Sequence, residues 1–248
     1  MTGTVAALWR YPIKAHGRES VETMVLTRGQ TIPWDRRWAV FHEMSDADGG
    51  KWVSCVNFSR GAKVPALMAI ETACDEERGT VRLSHPDRPD IEFNPDQDQQ
   101  MLLDWVRPLM PANRAQSVGI VRVEGRGMTD TDYPSASLLN IATNNAVARE
   151  LGGEISPLRW RANIHLEGFS AWEEFGWIGK TVCIGTARLA IRERIRRCLA
   201  TASNPGTGIR DADTLGVLNS RFGHQDFGVY AEIAESGEIR AGDSVEVC

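Results

Sequence analysis

The sequence predicts an α+β protein that is mostly β and consists of two domains. Short apolar runs alternate with clusters of Gly, Pro and Asp along the whole chain, which is the spacing of strands and turns. Only two segments, 97–109 and 135–152, repeat apolar residues at helical intervals. A chain of 248 residues is long enough for one large domain or two smaller ones.

The first half is predicted to be a small β-rich domain that ends in a helix. In the helix 97–109, Met101 and Trp105 share one face, and two prolines stop it. We place the domain junction just after these prolines, which gives domains of 1–112 and 113–248. The predicted strands of the first domain are 4–9, 21–26, 38–41, 66–71, 80–83 and 91–93.

The second half is predicted to contain one helix among further strands. A strand at 117–123 is followed by a loop rich in glycine and aspartate at 124–134. The helix 135–152 then ends at a pair of glycines, which are common at helix ends. The remaining predicted strands are 163–166, 181–184, 189–199, 228–233 and 244–247.

The strand 189–199 contains the sequence pattern that points most clearly to a reactive residue. Side chains alternate between the faces of a strand, so Arg192, Arg194, Arg196 and Cys198 are predicted to share one face. Nearby cations favour the thiolate, which is the form that attacks or binds metal. Guanidinium groups also suit an anionic ligand such as phosphate. A buried structural cysteine beside solvated arginines explains the same pattern, so both interpretations stay open at this point.

Composition excludes several functional classes. The net charge of −5 argues against nucleic acid as a partner. No apolar run approaches the roughly 20 residues that span a bilayer, and no export signal is visible. The five cysteines are odd in number and none are at CxxC spacing, which predicts neither disulfides nor a zinc or iron–sulfur site. We therefore expect a soluble protein of the reducing cytoplasm.

Six short motifs follow one another along the chain. They are YPIK at 11–14, WDRRW at 34–38, SASLLN at 135–140, RWRANI at 159–164, WEEFGWIG with VCIG at 172–185, and RCLATASNPGTG at 197–208. This ordered set resembles the MOSC-domain family, in particular its amidoxime-reducing branch. The first half resembles the β-barrel domain that precedes many MOSC domains. The resemblance implies a MOSC-type β-barrel preceded by a smaller β-rich domain.

The resemblance further implies a molybdenum–pterin cofactor with a cysteine thiolate as metal ligand. The matching cysteine is Cys198, to which the resemblance gives both the metal-binding and the catalytic role. Molybdenum binds sulfur readily, which agrees with a thiolate ligand. Arg196 stands where some relatives have a smaller polar residue, and it either adds a cation beside the metal or blocks space.

The resemblance implies that six further residues contact the phosphate and the pterin of the cofactor. Ser135 and Ser137 are placed at the start of the predicted helix, where hydroxyls and free amides bind anions. Structural alternatives stay open: a solvated loop lysine at position 14, an ion pair of Arg36 with Asp35, and simple helix capping by the serines. The six residues are Lys14, Arg36, Ser135, Ser137, Arg161 and Asn163.

Two departures from the family pattern concern the neighbours of these residues. Ala15 stands where the family often has a small polar residue, which puts one hydroxyl contact in doubt. Ala162 replaces the usual proline between Arg161 and Asn163, which loosens that turn but keeps the arginine.

The resemblance implies an oxidoreductase that reduces small N-hydroxylated compounds. The chain has no cysteine cluster and no flavin or nicotinamide fingerprint, so we expect electrons from a separate ferredoxin-like, flavin or haem protein. Pyridoxal phosphate is not expected as a cofactor. The alternative function is a molybdenum-cofactor or sulfur carrier without turnover, and a third is a barrel that has lost the cofactor.

Overall fold

The computed structural model describes residues 2–248, which form sixteen strands and three helices. None of the helices within this range is long and apolar enough to cross a membrane. The elements of the first half are β1 Thr2–Arg10, β2 Ile13–Lys14, β3 Glu19–Val21, β4 Thr23–Leu26, β5 Trp38–His42, β6 Glu71–Asp75, β7 Thr80–His85, β8 Arg88–Phe93 and α1 Gln99–Val106. Those of the second half are β9 Ser117–Val121, β10 Ala136–Asn140, α2 Ile141–Leu151, β11 Ile164–Glu167, β12 Thr181–Ile184, β13 Ala187–Arg196, α3 Thr214–Phe222, β14 Asp226–Glu235, β15 Gly237–Arg240 and β16 Ser244–Val247.

Seven of the strands close into a barrel, which confirms the mostly β fold class. Their order is β1-β11-β10-β14-β13-β12-β16, and β16 pairs again with β1. The pair β10–β11 is parallel, and the other pairs around the ring are antiparallel. Closure removes the free strand edges that an open sheet would expose. The barrel is filled by inward-facing aliphatic residues that include Leu8, Leu138, Ile164, Val182, Leu189, Val229 and Val245.

The smaller β-rich part packs beside the barrel around a core of its own. It contains a sheet of order β2-β5-β9 and a meander β6-β7-β8, and α1 covers the core. Its buried residues include Ile13, Trp38, Leu67, Val81, Leu102 and Ile120. The predicted strand at 66–71 is wrong, because Pro65 begins a short 3₁₀ turn, Pro65–Ala69, and the strand starts only at Glu71.

The two parts of the chain exchange strands. β1 comes from the first half and completes the barrel of the second. In return β9, which follows the predicted junction, pairs with β5 in the smaller part. Strands cross the predicted boundary between 1–112 and 113–248 in both directions. The boundary therefore stays a prediction.

The prediction of a helix over 135–152 is wrong for its first residues and correct from Ile141 onward. Residues Ala136–Asn140 form β10, a fully buried barrel strand, and the helix begins only at Ile141. The Asn140 side chain caps the helix by accepting a hydrogen bond from the amide of Ala142 at 3.0 Å. Gly152 ends the helix in the left-handed conformation, as predicted. The sequence patterns did not predict α3.

Two of the five cysteines form a disulfide, contrary to the sequence-based expectation. Cys183 in β12 is bonded to Cys248, the last residue of the chain. The two residues are 65 positions apart, so no local spacing signals the pair. Antiparallel pairing of β12 with β16 brings them together. The free cysteines are Cys55, Cys74 and Cys198.

Candidate functional site

A cavity of about 250 Å³ lies where the barrel meets the smaller part. Its walls come from segments that are far apart in sequence, including the loop after β2 and the turn after β13. The structure brings together all eight residues that the sequence singles out, although this does not test their roles. They are Lys14, Arg36, Ser135, Ser137, Arg161, Asn163, Arg196 and Cys198.

Asn163 is the hydrogen-bonding centre of one wall. Its side-chain oxygen accepts from the amide of Ser137 at 3.1 Å, from the Ser137 hydroxyl at 2.8 Å and from Arg36 Nη1 at 3.1 Å. Its side-chain nitrogen donates to the carbonyl of Trp9 at 3.1 Å. Asn163 is only 1% exposed, so it ties three barrel strands together and fixes Arg36.

Ser135 and Ser137 do not lie at a helix start, so the predicted anion site at helix amides is wrong. Ser137 belongs to β10, and Ser135 directly precedes it. The Ser135 hydroxyl is hydrogen-bonded to the Thr131 hydroxyl at 2.7 Å. Both serines still line the cavity, but they contribute hydroxyls from a buried strand rather than free amides.

Lys14 is a buried cation and not a solvated loop lysine. Its ammonium donates to Asp130 Oδ1 and to the carbonyl of Met128, both at 2.6 Å. Desolvation in the cavity raises the pKa of Asp130, but the combined attraction of Lys14, Arg36 and Arg161 outweighs it and lowers this pKa to about 2. Asp130 therefore stays ionised at neutral pH. It lies in the aspartate-rich loop at 124–134, which was the only sequence signal for it.

Arg36 and Arg161 form a stacked pair on the ring of Tyr11. Their guanidinium carbons lie 4.6 Å and 4.2 Å from the ring centroid. Arg36 is paired with the buried Asp35 and also donates to the carbonyl of Arg161 at 2.9 Å. Arg161 donates to the carbonyl of Gly17 at 3.1 Å. The predicted Asp35–Arg36 ion pair is thus present, and Arg36 lines the cavity as well.

Burial changes the titration of two groups in this stack. Desolvation, together with the nearby Arg36, lowers the pKa of Arg161 to about 10. Desolvation also raises the pKa of Tyr11 to about 12. Arg161 therefore stays charged at neutral pH at a cost in solvation, which an anion in the cavity would offset.

The arginine-lined face predicted for the strand ending at Cys198 is wrong. Bulges in the β13–β14 pairing break the alternation of side chains. Arg192 instead pairs with Glu232 at 2.9 Å, and Arg194 lies over the ring of Phe175 at 4.3 Å. Cys198 is exposed and lines the cavity, together with Arg196. The cations around the thiol therefore come mostly from other segments.

Arg197 lines the cavity, although period-2 alternation along the predicted strand 189–199 placed it on the face opposite Cys198. Its Nε donates to the carbonyl of Phe227 at 2.8 Å and its Nη1 to that of Trp160 at 2.7 Å. Its Nη2 is buried and has no hydrogen-bond partner among residues 2–248. Desolvation lowers the pKa of Arg197 to about 10. A buried charged donor without a partner is costly, so the site suits a ligand that accepts this hydrogen bond.

Cations dominate the lining. Asp130 is the one acidic residue in the lining over the described range, whereas the basic ones are Lys14, Arg36, Arg60, Arg159, Arg161, Arg196 and Arg197. Arg60 and Arg159 were missed because they carried no motif signal that pointed to a ligand. Cationic donors, an orphaned Nη2 and an exposed thiol fit a cofactor with an anionic phosphate and a thiophilic metal.

Comparisons with known proteins identify the family. The MOSC domain family matches residues 133–246, and the MOSC N-terminal beta barrel domain matches residues 2–106. The chain is a MOSC-domain protein. Six of the eight predicted site residues lie within the MOSC match, while Lys14 and Arg36 lie within the N-terminal match. The cavity of this MOSC-domain protein is therefore built by both family segments together.

Proteins similar to this MOSC-domain protein cover its chain to different extents. The mitochondrial amidoxime-reducing component 1 of Mus musculus is 25% identical over an alignment 292 residues long, gaps included. The alignment covers 98% of this chain and 82% of the mouse protein. Among solved structures, the YuaD protein from Bacillus subtilis is 15% identical with a TM-score of 0.46, covering 100% of this chain and 96% of its own. YiiM from Geobacillus stearothermophilus is 14% identical with a TM-score of 0.34, covering 46% and 53%.

Proposed function

We propose that this MOSC-domain protein is a molybdenum-cofactor-dependent oxidoreductase that reduces N-hydroxylated compounds with electrons from a separate redox protein. The observation that carries the proposal is the cation-rich cavity with the exposed thiol of Cys198 at its wall. The similarity to an amidoxime-reducing component supports the substrate class.

The residues of the cavity divide into two tasks in this proposal. Lys14, Arg36 and Arg161 would hold the phosphate and pterin, and the orphaned Nη2 of Arg197 adds a donor. Ser135, Ser137 and Asn163 would complete the wall of the cofactor site, and Asn163, held by Ser137, would also keep Arg36 in place. Cys198 would be the protein's ligand to the metal, with Arg196 as a neighbouring cation. The bound cofactor supplies two-electron redox chemistry, while the chain supplies orientation and electrostatics.

Reduction of an N–OH group to N–H and water consumes two electrons and two protons. Asp130 is ionised at neutral pH, so its carboxylate accepts hydrogen bonds and does not supply the protons. Tyr230 also lines the cavity, and desolvation raises the pKa of its phenol. The phenol therefore stays protonated and can donate a hydrogen bond to an oxygen of the substrate.

Turnover and metal content test this proposal. The protein is expressed in a host that makes the cofactor, and we expect about one molybdenum atom per chain by elemental analysis. Benzamidoxime should be consumed with reduced viologen, or with a ferredoxin and its reductase, and not with nicotinamide cofactor alone. Consistent absence of molybdenum would refute cofactor binding. Full loading without turnover by any donor would favour a cofactor or sulfur carrier.

A further inference from the structure

Four cations of the cavity are left over when its ion pairs are counted. Lys14 is paired with Asp130 and Arg36 with Asp35, and Arg159 donates to Asp211 at 2.5 Å. Of the other four arginines in the lining, Arg161 and Arg197 donate to backbone carbonyls deep in the wall. Arg60 and Arg196 have no acidic partner within the part of the chain that the structure describes.

Charge balance separates these four arginines into two pairs. A phosphate monoester carries up to about two negative charges at neutral pH. It would offset the pair Arg161 and Arg197, whose guanidinium groups are shielded from water. The proposed cofactor phosphate would then leave the pair Arg60 and Arg196 uncompensated. Arg60 is half-buried and Arg196 is exposed, so this second pair is reachable from solvent.

The structure fixes Arg60 beside the turn that follows Cys198. The carbonyl of Arg60 accepts from the amides of Lys63 and Val64, both at 2.9 Å. The next residue, Gly61, has no room for a side chain against Met68 and lies beside Ala200. Among residues 2–248, the guanidinium donates a hydrogen bond only to Cys55 Sγ, at 3.4 Å. Its remaining donors are therefore free to bind a ligand.

The surroundings of this pair suit an organic anion. Ala62, Met68 and Ala200 line the same cavity as the two arginines and give it apolar surface. Arginine binds carboxylate and phosphate through paired hydrogen bonds, and such contacts are strong where water is partly excluded.

We propose that Arg60 and Arg196 form a substrate-recognition site for an anionic group, so that the preferred substrates are N-hydroxylated compounds that also carry a carboxylate or phosphate. This inference rests on the proposed function, because it assigns a substrate class to the same cavity. The reacting N–OH would approach Cys198 while the anionic end is held by the two arginines.

Matched substrates test the inference on the holoprotein. The value of kcat/KM is measured for benzamidoxime and for 4-carboxybenzamidoxime with reduced viologen as the common donor. We expect the carboxylated compound to be preferred about tenfold or more, mainly through a lower KM. In Arg60→Gln and Arg196→Gln this preference should fall about tenfold. Lys63→Gln, an equal charge change at an exposed residue outside the lining, should keep it. A phosphate-bearing amidoxime distinguishes the two anions.

Calorimetry separates this inference from the proposed function. Binding of 4-carboxybenzamidoxime to the oxidised holoprotein needs no turnover. Binding that weakens in Arg60→Gln, in a protein that reduces neither substrate, would support the anion site and refute the reductase. Reduction of both substrates without a preference would overturn the anion site alone. Loss of molybdenum from both arginine variants would also overturn it, because the arginines would then serve the cofactor.

Discussion

Cys198 differs from the other cysteines in its surroundings. It is exposed in the cation-rich cavity, whereas Cys74 is half-buried and Cys183 is bonded to Cys248. Desolvation, together with the neighbouring Glu19, raises the pKa of the Cys74 thiol and disfavours its thiolate. Cys55 is the other thiol in the cavity, but its sulfur accepts a contact from Arg60.

We predict that Cys198→Ser abolishes activity and removes one sulfur from the metal's coordination, since a hydroxyl is a poor ligand for a thiophilic metal. X-ray absorption at the molybdenum edge measures this change. Cys55→Ser serves as the control within the same cavity and should keep the metal. A loss of the sulfur signal in Cys55→Ser, but not in Cys198→Ser, would show that the ligand is misassigned.

We predict that alanine at Lys14, Arg36 or Arg161 lowers cofactor affinity by roughly one to two decades. Each substitution removes a charged hydrogen bond, which contributes about 1.5–3 kcal/mol. Cofactor retained after dialysis against apoprotein acceptor measures the effect, and thermal melting of the apo form checks the fold. Arg82→Ala, in an exposed ion pair, is the control. Equal retention in all three cavity variants would contradict the assignment.

Short sequence motifs were enough to predict eight residues that line one cavity, because each motif keeps its residues in a fixed local order. Arg197, Asp130 and Arg60 were not predicted, for different physical reasons. Bulges in the β13–β14 pairing break the period-2 alternation of side chains, so alternation placed Arg197 on the wrong face of the strand. Asp130 and Arg60 are identified only by contacts across the fold, to Lys14 and to the turn after Cys198. Such contacts leave no pattern within one segment.

At the scale of elements, β10 and α2 show why a boundary is hard to read. The run ASLLN is buried on all sides, and a short, mostly apolar run fits a buried strand as well as a helix. Asn140 marks the real boundary. Besides capping α2, its side-chain nitrogen donates to the carbonyl of Ser170 at 2.7 Å and to Glu174 at 3.1 Å.

Asn140→Ala should therefore lower the free energy of unfolding by about 2 kcal/mol or more. The cap contributes about 1 kcal/mol, and the buried carboxylate of Glu174 and the carbonyl of Ser170 each lose a donor. Urea unfolding of the apoprotein measures the change. Asn145→Ala, at an exposed position on the same helix, should stay within about 0.5 kcal/mol. Similar losses in the two variants would rule out a special role for Asn140.

At the scale of the whole molecule, two buried histidines couple stability to pH. His16, beside the cavity wall, and His165, in β11, are almost fully buried. Desolvation lowers the pKa of each to about 4, well below the ordinary value of 6.5. Between these values the unfolded chain binds a proton at each position and the folded chain does not. Protonation therefore favours unfolding, and stability falls as the pH falls.

We predict that the free energy of unfolding is unaffected by these histidines above about pH 6.5 and decreases toward pH 4. Each histidine contributes a slope of about 1.4 kcal/mol per pH unit in the middle of that window. Urea unfolding at pH 7.5, 5.5 and 4.5 measures the total slope. His165→Gln should reduce the slope by about half of this contribution, whatever it does to stability at pH 7.5. An unchanged slope would mean that His165 titrates normally in the fold.

The overall architecture was predictable, since the strand pattern indicated a mostly β fold and the family resemblance of the ordered motifs implied a barrel. The exchange of strands was not. β1 and β16 pair across almost the full length of the chain, and the Cys183–Cys248 disulfide depends on the pairing of β16 with its other neighbour, β12. Pairing between distant segments is set by the shape of the complete core, which a single sequence does not display.

The position of β16 between β1 and β12 has a consequence for the order of events during synthesis. β1 leaves the ribosome first and β16 last, and the barrel cannot close until β16 is available. Until then the chain carries two open strand edges, which are sites for pairing with other chains. A nascent chain therefore cannot complete the barrel that supports the cavity before β16 has been synthesised.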